Sequence, residues 1–307
     1  MNLIKPKKLK KGDTIALLSA SGEIRDFDRI KKAEKYFQNS GYKTKISETT
    51  FKKFRYHAGS DEERIAEIEE LFCNKNIDAI VCTRGGYGLL RIVDKLDYDL
   101  IAKNPKIFCG YSDITVLLLM LYKKANLVSF HGAMANGDFG AEKLSQFTEK
   151  SFFETLTTEK PLVFSSKKGK VLNSGSVENA VLWGGNLATI VSMLGGANFI
   201  PDEKFVFFAE DVNEPAYKID RMFTQLMRNE KFVKNVAGFA IGQFSGADKP
   251  NFVNDVISEY AKNLNIPAVN DFAISHDENK YTLPIGVKCS FNSEDKRISL
   301  LESPFSD

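Results

Sequence analysis

Four short runs in the first 131 residues, TIALL, AIVC, IFCG and VSF, are apolar almost throughout, with no polar residue at alternate positions. A strand with one face in water alternates, so runs like these are covered on both faces, which is the signature of a parallel sheet inside an α/β layer structure. Between them lie stretches of helical length: DRIKKAEKYFQNSG, SDEERIAEIEELFCN and ITVLLLMLYKKAN. Gly41 stands at the end of the first, where a left-handed C′ residue closes a helix, and Ser60 with Glu63 three residues on makes a capping box for the second. With YKTKISE as a further strand, the pattern predicts a doubly wound α/β domain.

In such sheets ligands meet the loops that follow the carboxyl ends of the strands. SASG, TRGGYG, GYSD and HGAM hold those places. After residue 140 the texture becomes rich in Ser, Lys and Thr, and the expected organisation is an N-terminal α/β domain over 1–140, a linker over 141–176 and a β-rich α/β domain over 177–307. The last begins with AVLWGGNLATIVSMLGG and contains strands in FVFFAED and VAGFAIGQF, helices in YKIDRMFTQLMRN and NFVNDVISEYAKNL, and alternating segments around TLPIGVKCSF and RISLLE.

The 307 residues suit two ordinary domains, and 43% hydrophobic with 27% charged residues suits a well-buried globular chain. A net charge of +2 provides no broad field for nucleic acid or an anionic membrane, so a small neutral or zwitterionic partner is expected. The basic cluster KPKKLKK, ending at Lys11, is read as a solvated arm. No stretch reaches the ~18 consecutive apolar residues of a membrane span. The apolar run after the basic arm is too short for a secretory leader, and a cytoplasmic protein is expected. Cys73, Cys82, Cys109 and Cys289 form no CxxC pair, so neither zinc nor disulfides are expected.

GYSD joins an apolar strand to a helix, with Gly110 two residues before Ser112. A serine at such a join presents its hydroxyl at the sheet edge beside backbone N–H groups that can hold an oxyanion. The glycine usually found two residues after a hydrolase nucleophile is here Ile114, and a serine that only caps the helix fits the same residues. A nucleophilic serine needs a histidine and a carboxylate. Of three histidines, His57 reads as surface or loop packing and His131, close enough to Ser112 in the sheet to line a site, as a structural neighbour, which leaves His276, in a polar loop of the second domain. Glu210 follows FVFFA at the end of a buried strand, with Asp211 and Glu214 as competing carboxylates. TRGGYG lacks the Lys-Ser/Thr of a phosphate-binding loop; its glycines suit a second oxyanion donor. Two rivals use the same residues: a ligand-binding protein in which TRGGYG holds an anion, and a cysteine hydrolase using Cys109.

Taken in order, GDTIALLSASG, AGSDEERIAEI, IDAIVCTRGGYG, GYSDIT, FHGAM, WGGNL, AEDVNEPAYKIDRMFTQL and HDENKYTLPIG resemble the LD-carboxypeptidase family of serine peptidases along nearly the whole chain. That family includes muramoyltetrapeptide carboxypeptidases and microcin C immunity peptidases. The resemblance implies a flavodoxin-like or amidotransferase-like first domain, no cofactor or metal, and a homodimer. It also implies Ser112 as nucleophile, His276 as base and acid, Glu210 orienting the imidazole, and an oxyanion hole from the backbone N–H groups of Gly86 and Asp113. The implied substrate is a murein tetrapeptide, or an aminoacyl-nucleotide conjugate in the microcin branch; the modest length without a long insertion favours the first. Where the family commonly has a glycine-flanked histidine, this chain has Ser275-His276-Asp277. Arg84 and Arg221 are candidates for holding a substrate carboxylate.

Overall fold

The computed structural model describes residues 3–196 and 198–306. The chain forms two compact units, the first being the chain up to Glu159 with Thr282–Pro284 and the residues from Pro304 onward, the second Lys160–Tyr281 with Ile285–Ser303.

The first unit contains β1 (Thr14–Leu18), α1 (Phe27–Asn39), β2 (Lys43–Ile46), α2 (Asp61–Cys73), β3 (Ala79–Cys82), α3 (Tyr98–Lys103), β4 (Ile107–Gly110), α4 (Thr115–Ala125), β5 (Ser129–His131) and α5 (Gln146–Thr157). The strands run in the order β2-β1-β3-β4-β5, all parallel, which is the flavodoxin-like order. A late strand, β12 (Leu283–Ile285), adds itself beside β5.

Local chemistry accounts for these elements. Every residue of β3 and β4 is buried, as unalternating apolar runs require. α2 begins with the full capping box of Ser60 and Glu63, worth about 1 kcal/mol. α1 closes where Gly41 takes φ +85° just beyond the Ser40 cap. α4 is buried from Thr115 through Leu121, so it is held by packing on all sides rather than by an amphipathic stripe.

The second unit is built on an eight-stranded sheet of β6 (Val163–Ser165), β7 (Val171–Asn173), β8 (Ser176–Asn186), β9 (Phe205–Val212), β10 (Val236–Ser245), β11 (Ala268–Val269), β13 (Lys288–Asn292) and β14 (Arg297–Leu300). Its order is β6-β14-β13-β8-β9-β10-β11-β7. The central β8-β9-β10-β11 strands are parallel, and antiparallel strands flank them on both sides. The helices are α6 (Leu187–Ser192), α7 (Ala216–Met227), α8 (Glu230–Asn235) and α9 (Pro250–Asn263). Trp183 packs with Phe199, Phe205 and Phe207 in the aromatic core.

The segment 141–176, expected as a linker, is structured, and the boundary between units falls at Glu159 and Lys160. Ser145 caps α5, which buries Phe152 and Leu156, while β6 and β7 are the two edge strands of the second sheet. Its Ser/Lys/Thr composition fits edge strands, half of whose surface stays in water. Among the described residues no helix is long and apolar enough to cross a membrane.

Candidate functional site

In the first unit the loops after β1, β3, β4 and β5 gather at the carboxyl edge of the sheet. Ser112 lies at the turn from β4 into α4, with φ +65°, a left-handed conformation that costs a non-glycine residue about 1–3 kcal/mol. Its hydroxyl caps neither the short turn Ser112–Ile114 nor α4, since neither start has a side-chain cap. The capping alternative therefore fails, and a strained serine on a strand-to-helix elbow stands in its place. Gly110 serves packing more than bending: a Cβ there would lie 2.9 Å from Ile114 Cγ2 and 3.1 Å from Cys82 Cβ.

The RGGYG loop lies directly on this elbow. A Cβ on Gly85 would stand 2.6 Å from Ser112 Cβ, 2.8 Å from its Oγ and 3.2 Å from the Asp113 nitrogen. Gly86 follows at φ +123°. The loop is fixed from behind by the Gly22 N–H to the Gly85 carbonyl (3.1 Å) and by the Asn136 N–H to the Thr83 carbonyl (2.7 Å). Gly85→Ala is thus expected to push the loop off Ser112, and a shift near 1 Å at a reacting group costs about 10²-fold. Steady-state turnover of this variant, read beside its melting temperature, separates misplacement from unfolding.

Side chains invisible to motif reasoning complete the arrangement. The Asp113 carboxylate accepts from Ser21 Oγ (2.6 Å) and the Leu89 N–H (3.0 Å), tying the β1 loop and the end of the RGGYG loop to the residue after Ser112. Arg64, fully buried on α2, donates to the carbonyls of Ala20 and Gly88 (both 3.1 Å) while Asp61 neutralises it at 2.7 Å. His57 is buried too, and its Nδ1 donates to the Tyr87 carbonyl at 2.9 Å, so its place is beneath the glycine loop. Only the spacing of GSDEER hinted at this: it places Asp61 and Arg64 one turn apart on α2.

Cys109 is fully buried, with Sγ toward the Ala133 carbonyl at 3.7 Å. Burial, with added repulsion from Cys82 and Asp138, raises its pKa well above the ordinary thiol value and keeps it protonated. That removes the cysteine-hydrolase rival. His131 sits at 2% exposure with its ring 6.2 Å from that of Tyr111.

In the second unit, β9 delivers Glu210 to its carboxyl end, completely buried, where Oε2 accepts from His276 Nδ1 at 2.6 Å. The proton on Nδ1 fixes the tautomer and leaves Nε2 as the basic nitrogen. Burial disfavours the imidazolium, yet the hydrogen bond and charge of Glu210, helped by Asp211, outweigh it and raise the His276 pKa above its ordinary value. Asn186, paired with Glu210 across β8 and β9, donates to Glu210 Oε1 (3.4 Å) and Asp211 Oδ1 (3.0 Å).

The competing carboxylates have other work. Asp211 accepts from the N–H of Ala188 (2.8 Å) at the start of α6, and its pKa is raised chiefly by burial. Glu214 meets Lys218 one turn on at 3.4 Å. Asp277, where a glycine was expected, accepts from Ser245 Oγ at 2.6 Å and so ties the His276 loop to the end of β10. Arg84 donates to the Glu23 carbonyl (3.1 Å), and Arg221 is exposed over the Tyr217 ring at 5.5 Å. Among the described residues no group of three or more His, Cys, Asp or Glu is placed to hold a metal ion.

The LD-carboxypeptidase N-terminal domain matches residues 15–132 and the LD-carboxypeptidase C-terminal domain matches residues 179–291. The probable murein peptide carboxypeptidase of Bacillus subtilis is 32% identical over 299 residues, covering 95% of this chain and 92% of that one. The microcin C7 self-immunity protein MccF of Escherichia coli is 30% identical over 325 residues, covering 95% and 94%; the solved wild-type apo form of MccF superposes with a TM-score of 0.90 at 27% identity, over 99% and 100%. The muramoyltetrapeptide carboxypeptidase from Oxalobacter formigenes superposes at 0.82 with 31% identity, over 94% and 97%. With two family domains matched in order and relatives aligned end to end, this chain belongs to the LD-carboxypeptidase family and is a serine-type carboxypeptidase.

Proposed function

We propose that the protein removes the terminal D-alanine from murein tetrapeptides by hydrolysing its bond to the L-centre of the diamino acid. Ser112 Oγ attacks that carbonyl as Nε2 of His276 takes its proton, and Glu210 holds the imidazole and balances the charge it gains. The tetrahedral oxygen rests on the N–H groups of Gly86 and Asp113, each worth roughly 2.7–4 kcal/mol of barrier in such sites. His276 then gives the proton to the leaving amine, D-alanine departs, and water repeats the cycle on the acyl-enzyme. The reading requires Ser112 and Nε2 of His276 to come within hydrogen-bond reach when substrate is bound.

The observation that best supports it is the bond of 2.6 Å between the fully buried Glu210 and the partly exposed His276, an oriented base of little use to a protein that only holds a ligand. A second reading, cleavage of an aminoacyl-nucleotide conjugate, draws on the TM-score of 0.90 to MccF, which has been solved in complex with aspartyl sulfamoyl adenosine. Incubating the protein with tetrapeptides of differing diamino acid and with that conjugate, then detecting released amino acids by mass spectrometry, decides between them. D-alanine release is expected, undiminished by EDTA. Cleavage of the conjugate alone would assign the second reading, and inhibition by EDTA reversed by zinc would overturn the metal-free mechanism.

A further inference from the structure

The basic arm read from the sequence as merely solvated is drawn into a concavity. At the amino-terminal edge of the first unit's sheet, where β1, β3 and β4 begin, lies a cavity of about 460 Å³ lined by seven lysines and two aspartates. So lysine-rich a lining is notable in a chain whose net charge is +2. The recess is remote along the strands from Ser112, which follows the carboxyl end of β4.

The two carboxylates are committed to the backbone. Asp13 Oδ2 accepts from the Lys10 N–H at 2.7 Å, and Asp78 Oδ2 from the Thr14 N–H at 2.9 Å. Lys8 is paired with Glu159, and Lys75 donates to Asn104 Oδ1 at 2.5 Å. Lys10 lies within the field of Asp13 and Glu159, while Lys7 and Lys103 have no carboxylate partner among the described residues. Deepest is Lys106, 7% exposed, whose ammonium donates to the carbonyls of Asn74 (2.8 Å) and Ile77 and retains a third N–H with no acceptor among the described residues. Burial there lowers its pKa, and an anion in the recess would relieve that cost. Helix C-termini favour cations and account for Lys103, in the last turn of α3, but not for Lys7 and Lys10, which come from the arm.

From this geometry we infer that the recess binds a polyvalent phosphate: a pyrophosphate or a diphosphate ester. Its cations are all lysines, compact point charges that suit phosphate oxygens, with no arginine fork for a planar carboxylate.

The test is isothermal titration of the full-length protein in low-salt, phosphate-free buffer with pyrophosphate, orthophosphate, ADP and adenosine. Saturable pyrophosphate binding is expected, weakening as salt rises and at least about tenfold weaker in a Lys7→Glu/Lys103→Glu double variant. These exposed substitutions leave the core and the peptidase residues untouched, so unaltered D-alanine release would show that the variant is folded. ADP binding as tightly as pyrophosphate would mark a diphosphate ester, and weaker ADP binding the inorganic ion. Orthophosphate binding as tightly as pyrophosphate, adenosine binding without pyrophosphate binding, or indifference to the double variant would overturn the proposal.

Discussion

Replacing Ser112 by alanine is expected to lower turnover by about 10⁶-fold while leaving the protein folded, the effect of deleting a nucleophile that acts as a unit with its base. Replacing it by glycine should be equally inactive yet more resistant to heat. The φ of +65° is a left-handed conformation that glycine adopts without a Cβ penalty, so the strain at the elbow is released and about 1 kcal/mol of stability is gained. A helix-capping serine predicts the opposite, a loss of about 1 kcal/mol with alanine and full activity. Melting curves and single-turnover assays on the two variants settle it. An active-site serine reagent gives a second check: it should label the wild type and spare His276→Ala.

The Glu210→Gln variant should lose about 10⁴-fold in kcat, because an amide no longer balances the imidazolium or selects its tautomer. The pH profile should also change. In the proposed mechanism catalysis needs neutral Nε2, so activity is expected to rise as pH climbs through the His276 pKa, which in the wild type lies above the ordinary ~6.5. In the variant the raising influence of the carboxylate is gone and burial dominates, so the acid limb moves down. Stability runs the other way. A raised folded-state pKa means that the charged pair stabilises fully below the unfolded value of ~6.5 and fades as pH rises through the folded one. The melting-temperature gap between wild type and variant should therefore be widest in acid and close toward alkaline pH. An acid limb unmoved by the substitution would detach Glu210 from His276.

Much of the framework was legible because burial on both faces writes itself into composition. β3 and β4 are apolar at every position, and the Ser60/Glu63 box is a local contract between residues three apart. Ser112 was legible as a join but not as a strained one, since the glycine packed against it, Gly85, lies 27 residues upstream. Glu210 could not be chosen over Asp211 and Glu214 from the residues alone. What separates them is their partners, His276 for one, the start of α6 for another, Lys218 for the third. α5 escaped because its stretch is Ser- and Thr-rich, and only Ser145 capping and the burial of Phe152 and Leu156 declare it a helix.

The thread of the backbone has a practical corollary. Having completed most of the second unit, the chain returns through Thr282–Pro284 to lay β12 beside β5, and comes back again after Pro304, where Phe305 stacks on Phe130 at 5.6 Å. A ribosome therefore finishes the first sheet last: a nascent or truncated chain ending near Glu159 carries a bare sheet margin, and no single scissor cut yields either half intact.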